Sequence, residues 1–199
     1  MNTRTLQLAT IERRLARQQS LELDPGRRLK HASVAVILRS VGDDIESLFI
    51  RRRENPRDRW SGQMAFPGGK ADPEDPSLEA TARRETLEEV AIDLSASARL
   101  IGKLDDLQAI ARGQLLPLVI SPFVYLLSDA VEPTPREDEV DAAIWVSLSK
   151  MFSGDLNAVY YHEYRGVNLS FPSYKVGERY VIWGLTYQML QGFFTLLTR

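Results

Sequence analysis

Residues 67–92 read PGGKADPEDPSLEATARRETLEEVAI: a Pro-Gly-Gly turn, then a segment with glutamates at 85, 88 and 89. Asp75 followed by Pro76 predicts a helix start, with Asp at the N-cap and Pro at the first helical position, and the helix should run to Ala91 or Ile92. At about 100° per residue, Glu85, Glu88 and Glu89 fall within an arc of roughly 100°. Ala80, Leu87, Val90, Ala91 and Leu94 cluster on roughly the opposite side, which suits packing on a sheet. Arg84 stands one turn before Glu88, the spacing of a side-chain ion pair. Three carboxylates this close repel one another unless a cation sits among them, and a hard, oxygen-liganded ion such as Mg²⁺ or Mn²⁺ is what such a cluster binds. The same pattern also describes a solvated face, with Glu serving helix propensity alone. The upstream glycines favour the first reading, because Gly68 and Gly69 let the backbone approach a metal–phosphate group closely.

Outward from this segment the chain alternates strands and helices. ASVAVIL (32–38) is a β-branched run that reads as a buried strand, and IESLFIRRR (45–53) reads as its hairpin partner across the VGDD turn. Residues 54–63 have loop composition, and MAFPGG (64–69) is a short strand ending in the turn. ARLIGKLDD and LPLVISPFVYLL are strand-like and separated by a loop at Gly113. VEPTPREDEV is a Pro-rich acidic loop, AAIWVSL a strand and SLSKMFSG a short helix. YYHEYRGVNLSF reads as strands around a turn, and 180–197 as a closing helix. Near the N-terminus, Leu8, Ile11 and Leu15 mark one side of an amphipathic helix. This is a mixed sheet with inserted helices, an α/β or α+β domain.

Composition narrows the function. The chain has 199 residues, 44% apolar and 26% charged, enough for one domain with a sizeable core. A net charge of -2 lacks the basic footprint of a nucleic-acid binder. The absence of cysteine excludes thiolate catalysis and Cys-ligated zinc and fits a cytoplasmic setting. YVIWGLTYQMLQGFF, the longest apolar tract near the C-terminus, is too short and polar for a membrane span. His31 and His162 lack zinc-ligand spacing and read as structural. Trp145 and Trp183 read as core, while Trp60 suits either stacking on a ligand or local packing.

The segment resembles the Nudix box: Gly, five spacers, Glu, seven spacers, Arg-Glu, an apolar residue, a spacer, Glu-Glu, a spacer, Gly and an apolar residue. Gly69, Arg84, Glu85, Glu88, Glu89 and Ile92 supply most of it. Gly69 to Arg84 is one residue longer than the pattern, Asp75 stands where the first Glu is expected, Thr86 replaces an apolar residue and Ala91 the last Gly. Over residues 30–197, WSGQMAFPGGKADPEDPSLEATARRETLEEV, LIGKLDDL and FPSYKVGERYVIWGLTYQML are similar to the coenzyme A pyrophosphatase branch of Nudix hydrolases. That branch tends to show Leu-Leu-Thr-x-Arg-Ser/Ala, three spacers, Arg, three spacers, Gly, three spacers and Phe-Pro-Gly-Gly. Arg53, Gly62 and Phe66 to Gly69 align, whereas Arg51 stands at the Thr, Glu54 at the Ser/Ala and Asp58 at the second Arg.

The resemblance implies an α/β/α sandwich with a mixed sheet and a catalytic helix, with residues 1–29 as a helical extension and 30–199 as the Nudix domain. It implies a metal-dependent pyrophosphohydrolase using Mg²⁺ or Mn²⁺, acting on a nucleoside diphosphate-linked small molecule, with coenzyme A favoured. ADP-ribose or a dinucleotide is the alternative substrate, and an inactive ligand-binding module the alternative class. Neither nucleic acid nor membrane is an expected partner, and the chain would work as a monomer or homodimer. Glu85, Glu88, Glu89 and the Gly69 carbonyl are the expected metal ligands. Glu85 or a loop acid would activate water, with Glu139 preferred over Glu137 and Asp138, and Arg84 would orient the carboxylates. Arg51, Arg53, Arg59, Gly68 and Lys70 are the expected substrate contacts. A strand through Arg51, Arg52 and Arg53 would send them to alternate faces.

Overall fold

The computed structural model describes residues 6–23, 29–111, 113–164 and 166–198; the basic pair Arg27 and Arg28 lies outside them. Helix α1 (Leu8–Arg17) leads into β1 (Lys30–Val41) and β2 (Asp44–Arg52), and two short strands follow, β3 (Met64–Ala65) and β4 (Gly68–Lys70). Next come α2 (Leu78–Val90), α3 (Leu94–Ser97), β5 (Ala98–Lys103), β6 (Leu107–Ala111) and β7 (Gln114–Leu127). The chain continues through β8 (Val140–Ser147), α4 (Leu148–Ser153), β9 (Asn157–Tyr164), β10 (Val167–Val176), β11 (Tyr180–Ile182) and α5 (Gly184–Thr198).

The main sheet is mixed. β1 runs parallel to β7 from Lys30↔Leu118 to Leu38↔Leu126, and antiparallel to β2 and β4. β8 and β3 extend the β2 side, and β5 and β6 pair with β7. Strand alternation sorts the apolar side chains onto two faces. Ala35, Ile37, Leu48, Ile50 and Tyr125 pack with Ala82 and Val90 of α2 and Leu94 of α3. Val36, Leu38, Phe49 and Val124 share a core with Ile11 and Leu15 of α1 and Leu190 and Phe193 of α5. The result is a helix–sheet–helix sandwich, each fully buried Leu, Ile or Phe contributing about 1.5–3 kcal/mol. The amphipathic reading of Leu8, Ile11 and Leu15 holds, since α1 buries Ile11 and Leu15. No helix among the described residues is long and apolar enough to cross a membrane.

The sequence-based expectations need five corrections. First, the N-cap of α2 is Ser77, whose hydroxyl accepts from the Ala80 N–H at 3.1 Å, and not Asp75, whose carboxylate is engaged elsewhere. Second, the helix stops at Val90 because Ala91 turns into the left-handed region, with φ of 56°. Third, Leu87 is 50% exposed, while the buried face of α2 carries Thr81, Ala82, Thr86, Glu89 and Val90. Small side chains such as Ala82 and Thr86 let α2 lie close over β1 and β4, and Thr86 satisfies its hydroxyl on the Ala82 carbonyl at 2.7 Å. Fourth, β6 was not expected. It pairs with the start of β7 across the turn, through Ile110↔Leu115 and Ala111↔Gln114. Fifth, Tyr180–Ile182, expected to open the closing helix, form β11, so that the helix starts at Gly184.

β9, β10 and β11 form a separate three-stranded antiparallel sheet. Trp183 is half-buried there, in a cluster with Tyr160, Phe171 and His162 at ring separations of 4.6, 5.3 and 5.5 Å. Trp145 is also half-buried, with the Arg39 guanidinium 4.1 Å from its ring centre.

Candidate active site

The two glycines of β4 bring strand and helix into contact. Gly68 has φ of 147°, and a Cβ there would lie 2.2 Å from the Ser33 carbonyl oxygen, so only glycine fits. A Cβ on Gly69 would lie 2.4 Å from the carboxylate carbon of Glu85. The glycine pair therefore seats the first turn after PGG directly beneath the carboxylates of α2.

Those carboxylates divide by side. Towards the sheet, Glu89 is 3% exposed and accepts from the Gly68 N–H at 2.8 Å. Burial pushes its carboxyl up to about 8, against the pull of the Gly68 N–H and of Arg52, whose guanidinium lies 3.8 Å away. Burial raises Glu85 as well, and Glu139 adds like-charge repulsion to both. Away from the sheet, the Arg84 guanidinium takes Asp75 through two bonds of 3.0 Å, Glu85 at 3.0 Å and Glu88 at 3.1 Å, and donates to the Lys70 carbonyl at 3.3 Å. That hydrogen-bonded pairing holds Asp75 well below the usual carboxylate range. So Asp75 fixes Arg84 rather than capping the helix.

The loop before β8 is tied to the end of α2: the Arg136 N–H donates to the Glu89 carbonyl and the Thr134 N–H to that of Val90, both at 2.9 Å. These bonds satisfy carbonyls freed at the helix terminus and set Glu139 against the site. The Arg53 N–H then holds the Glu139 carbonyl at 2.9 Å.

A cleft of about 510 Å³ opens here. Its lining joins Glu85, Glu89, Glu139, Gly68, Gly69 and Lys70 to Trp60, Met64, Phe66, Leu118, Ile120, Leu185 and Met189, with Gln63 and Thr186 also present. Of the three candidate loop acids, only Glu139 lines it; Asp138 pairs with Arg136 at 2.8 Å. Glu88 and Arg84 lie outside the lining, joined to each other.

The structure does not bring Arg51, Arg53 or Arg59 to the cleft. Arg51 pairs with Asp141 and, at 2.9 Å, with Glu54, while the Arg53 guanidinium donates to the Glu137 carbonyl. Strand alternation sends Arg52 to the cleft face instead, where Asp58 grips it at 2.7 and 2.8 Å. Arg57, Asn55 and Asp58 also line the cleft. The signal for Arg52 was its odd position between Arg51 and Arg53. Leu118, Ile120, Leu185 and Met189 had none, since they arrive through long-range pairing.

Among the described residues no three acidic or histidine side chains converge on one point. The donor chemistry nevertheless fits a hard divalent ion: the buried carboxyl of Glu89, the half-buried one of Glu85, Glu139 beside them, and the side-chain-free backbone of Gly69 against Glu85. Glu85 and Glu89, with Gly69, are the residues in place to hold it.

Residues 29–165 match the NUDIX domain family, and the chain belongs to it. The fold and the family match together define a pyrophosphohydrolase built on the Nudix plan. The chain is 32% identical over 179 residues to NudL, an uncharacterised Nudix hydrolase of Yersinia enterocolitica, covering 89% of this chain and 88% of that one. It is 42% identical over 106 residues to an uncharacterised Schizosaccharomyces pombe protein, covering 52% of this chain but spanning only 32% of that protein's length. A crystal structure of a MutT/nudix family protein from Enterococcus faecalis has the same fold, with a TM-score of 0.55 at 14% identity over 98% of this chain and 71% of that one.

Proposed function

We propose that the protein hydrolyses the diphosphate bond of coenzyme A or its acyl derivatives, releasing 3′,5′-ADP and 4′-phosphopantetheine. The observation that carries this reading is the mixed lining of the cleft, which combines carboxylates of α2 with the apolar side chains of Trp60, Met64, Phe66, Leu118, Leu185 and Met189. A diphosphate joined to a long uncharged arm suits such a lining.

Water attacks one phosphorus, the bond from that phosphorus to the bridging oxygen breaks, and the bridging oxygen leaves with the other phosphate. Glu85, Glu89 and the Gly69 carbonyl are assigned to a Mg²⁺ or Mn²⁺ ion, with Glu88 at their edge. When bound, that ion neutralises charge on the diphosphate. Glu139 accepts the proton of the attacking water from its place on the cleft wall. Glu85 is held in place by Arg84, which makes Arg84 a positioning residue rather than a substrate contact. Lys70 offers its ammonium to the phosphate oxygens.

The test is a hydrolysis screen of coenzyme A, ADP-ribose and a dinucleoside polyphosphate with Mg²⁺ or Mn²⁺, with products identified by mass. Coenzyme A should show the highest kcat/KM. A clear preference for ADP-ribose or the dinucleotide would remove the coenzyme A assignment and leave only the Nudix class.

A further inference from the structure

The arginines around the cleft are unequally occupied. Arg51, Arg52 and Arg84 are each bound to at least two carboxylates, and the Arg53 guanidinium is taken by a carbonyl. Arg57 lines the cleft, is exposed, and among the described residues has no carboxylate partner. Its loop is held tightly by its own groups. The Arg57 N–H donates to Asn55 Oδ1 at 3.0 Å, the Asn55 N–H to Ser61 Oγ at 2.8 Å, and the Trp60 N–H to Asp58 Oδ1 at 3.0 Å. Asp58 then clamps the loop to β2 through Arg52. The N–H groups of Asn55, Arg57 and Trp60 are thus spent within the loop, while the Arg57 guanidinium has no carboxylate partner among the described residues in a cleft that Trp60 also lines.

We propose that Arg57 is a specificity-determining residue that reads a phosphate on the substrate outside the scissile diphosphate. An arginine fork recognises a phosphate dianion by paired, charge-assisted hydrogen bonds. The rigid loop lowers the cost of holding it in place. Asp58 supplies the contrast. Where the related pattern carries a second arginine, this chain has Asp58, which engages Arg52, and Arg57, one residue upstream, lines the cleft without a carboxylate partner among the described residues. The inference rests on the cleft being the substrate site, but not on coenzyme A being the substrate. A 3′-phosphate and a 2′-phosphate on an adenosine nucleotide share the required chemistry.

The experiment is calorimetric binding of 3′,5′-ADP, 2′,5′-ADP and AMP to the wild-type chain, to Arg57→Gln and to Arg57→Lys, with turnover of coenzyme A measured in parallel. One of the two bisphosphates should bind wild type about tenfold or more tightly than AMP. Arg57→Gln should erase that margin while AMP affinity stays within about twofold, and Arg57→Lys should restore part of it. A margin for 3′,5′-ADP agrees with the coenzyme A reading; one for 2′,5′-ADP keeps the role of Arg57 and moves the substrate. If the bisphosphates bind no better than AMP, or keep their margin in Arg57→Gln, the inference fails. Failure of coenzyme A turnover alone would count against the proposed substrate and not against Arg57.

Discussion

Arg84 and Arg52 each lie against carboxylates of the same helix, yet their surroundings differ. Arg84 sits on the outer side of α2, where Asp75, Glu85 and Glu88 occupy its guanidinium. Arg52 reaches from β2 into the cleft, is bound closely by Asp58, and stands 3.8 Å from Glu89. Outside, the charges compensate one another through short hydrogen bonds. Inside, buried Glu89 has Arg52 at 3.8 Å, and Glu139 adds like-charge repulsion to Glu89 and to Glu85. Crowding a buried carboxyl with like charge costs stability, and a divalent cation would offset that cost. The outer network therefore builds the helix edge, and the inner one is built for a ligand.

The strongest way to break this contrast is to neutralise the inner side. Glu89→Gln keeps the shape and an acceptor for the Gly68 N–H, so the fold should persist. Turnover should fall by about a hundredfold or more, as expected when charge stabilisation at a metal site is lost. The rise in thermal midpoint on adding Mn²⁺, which follows from binding to the native state alone, should vanish. Glu139→Gln should keep that rise while slowing turnover about tenfold or more. If Glu89→Gln still responds to Mn²⁺ as wild type does, the inner carboxyls are not the metal site.

On the outer side the effect should be smaller and of another kind. Arg84→Lys keeps the charge and loses the fork that spans Asp75, Glu85 and Glu88. By analogy with outer-shell partners of metal ligands, kcat should drop about tenfold with KM within about twofold. A raised KM with unchanged kcat would mean that Arg84 touches substrate and that the two arginines do not divide the labour this way.

The smallest effect belongs to the end of the helix. Ala91 holds a left-handed conformation at φ of 56°, where an L side chain is strained by about 1 kcal/mol. Ala91→Gly should recover roughly that amount, less the added flexibility of the unfolded chain, seen as a higher denaturation midpoint with unchanged kcat. A lower midpoint would show that the Ala91 side chain contributes packing that outweighs the strain.

Much of this site was legible in the sequence, and the parts that were not share a cause. Arg84 with Glu88 was readable because helix spacing alone puts them one turn apart. Gly68 and Gly69 were readable because a backbone free of side chains has few uses. The N-cap was misread because Asp75 satisfies every local rule for that role, and only the approach of Arg84 draws it away. Leu87 was placed inside and lies outside because the helix settled on its small residues, a choice made by the glycine strand beneath it.

Local periodicity and turn chemistry were sufficient for most of the strands and for a helix carrying three carboxylates, since each depends on residues a few positions apart. Which arginine lines the cleft, which loop acid does so and which apolar side chains join them were decided only in three dimensions. Arg52 is turned inward by the register of β2, and Glu139 is set by two bonds to the carbonyl end of α2. Leu118, Ile120, Leu185 and Met189 come from β7 and α5, brought in by sheet pairing and core packing. Contacts between residues a hundred positions apart come from collective packing of the core, and no short stretch of sequence encodes that.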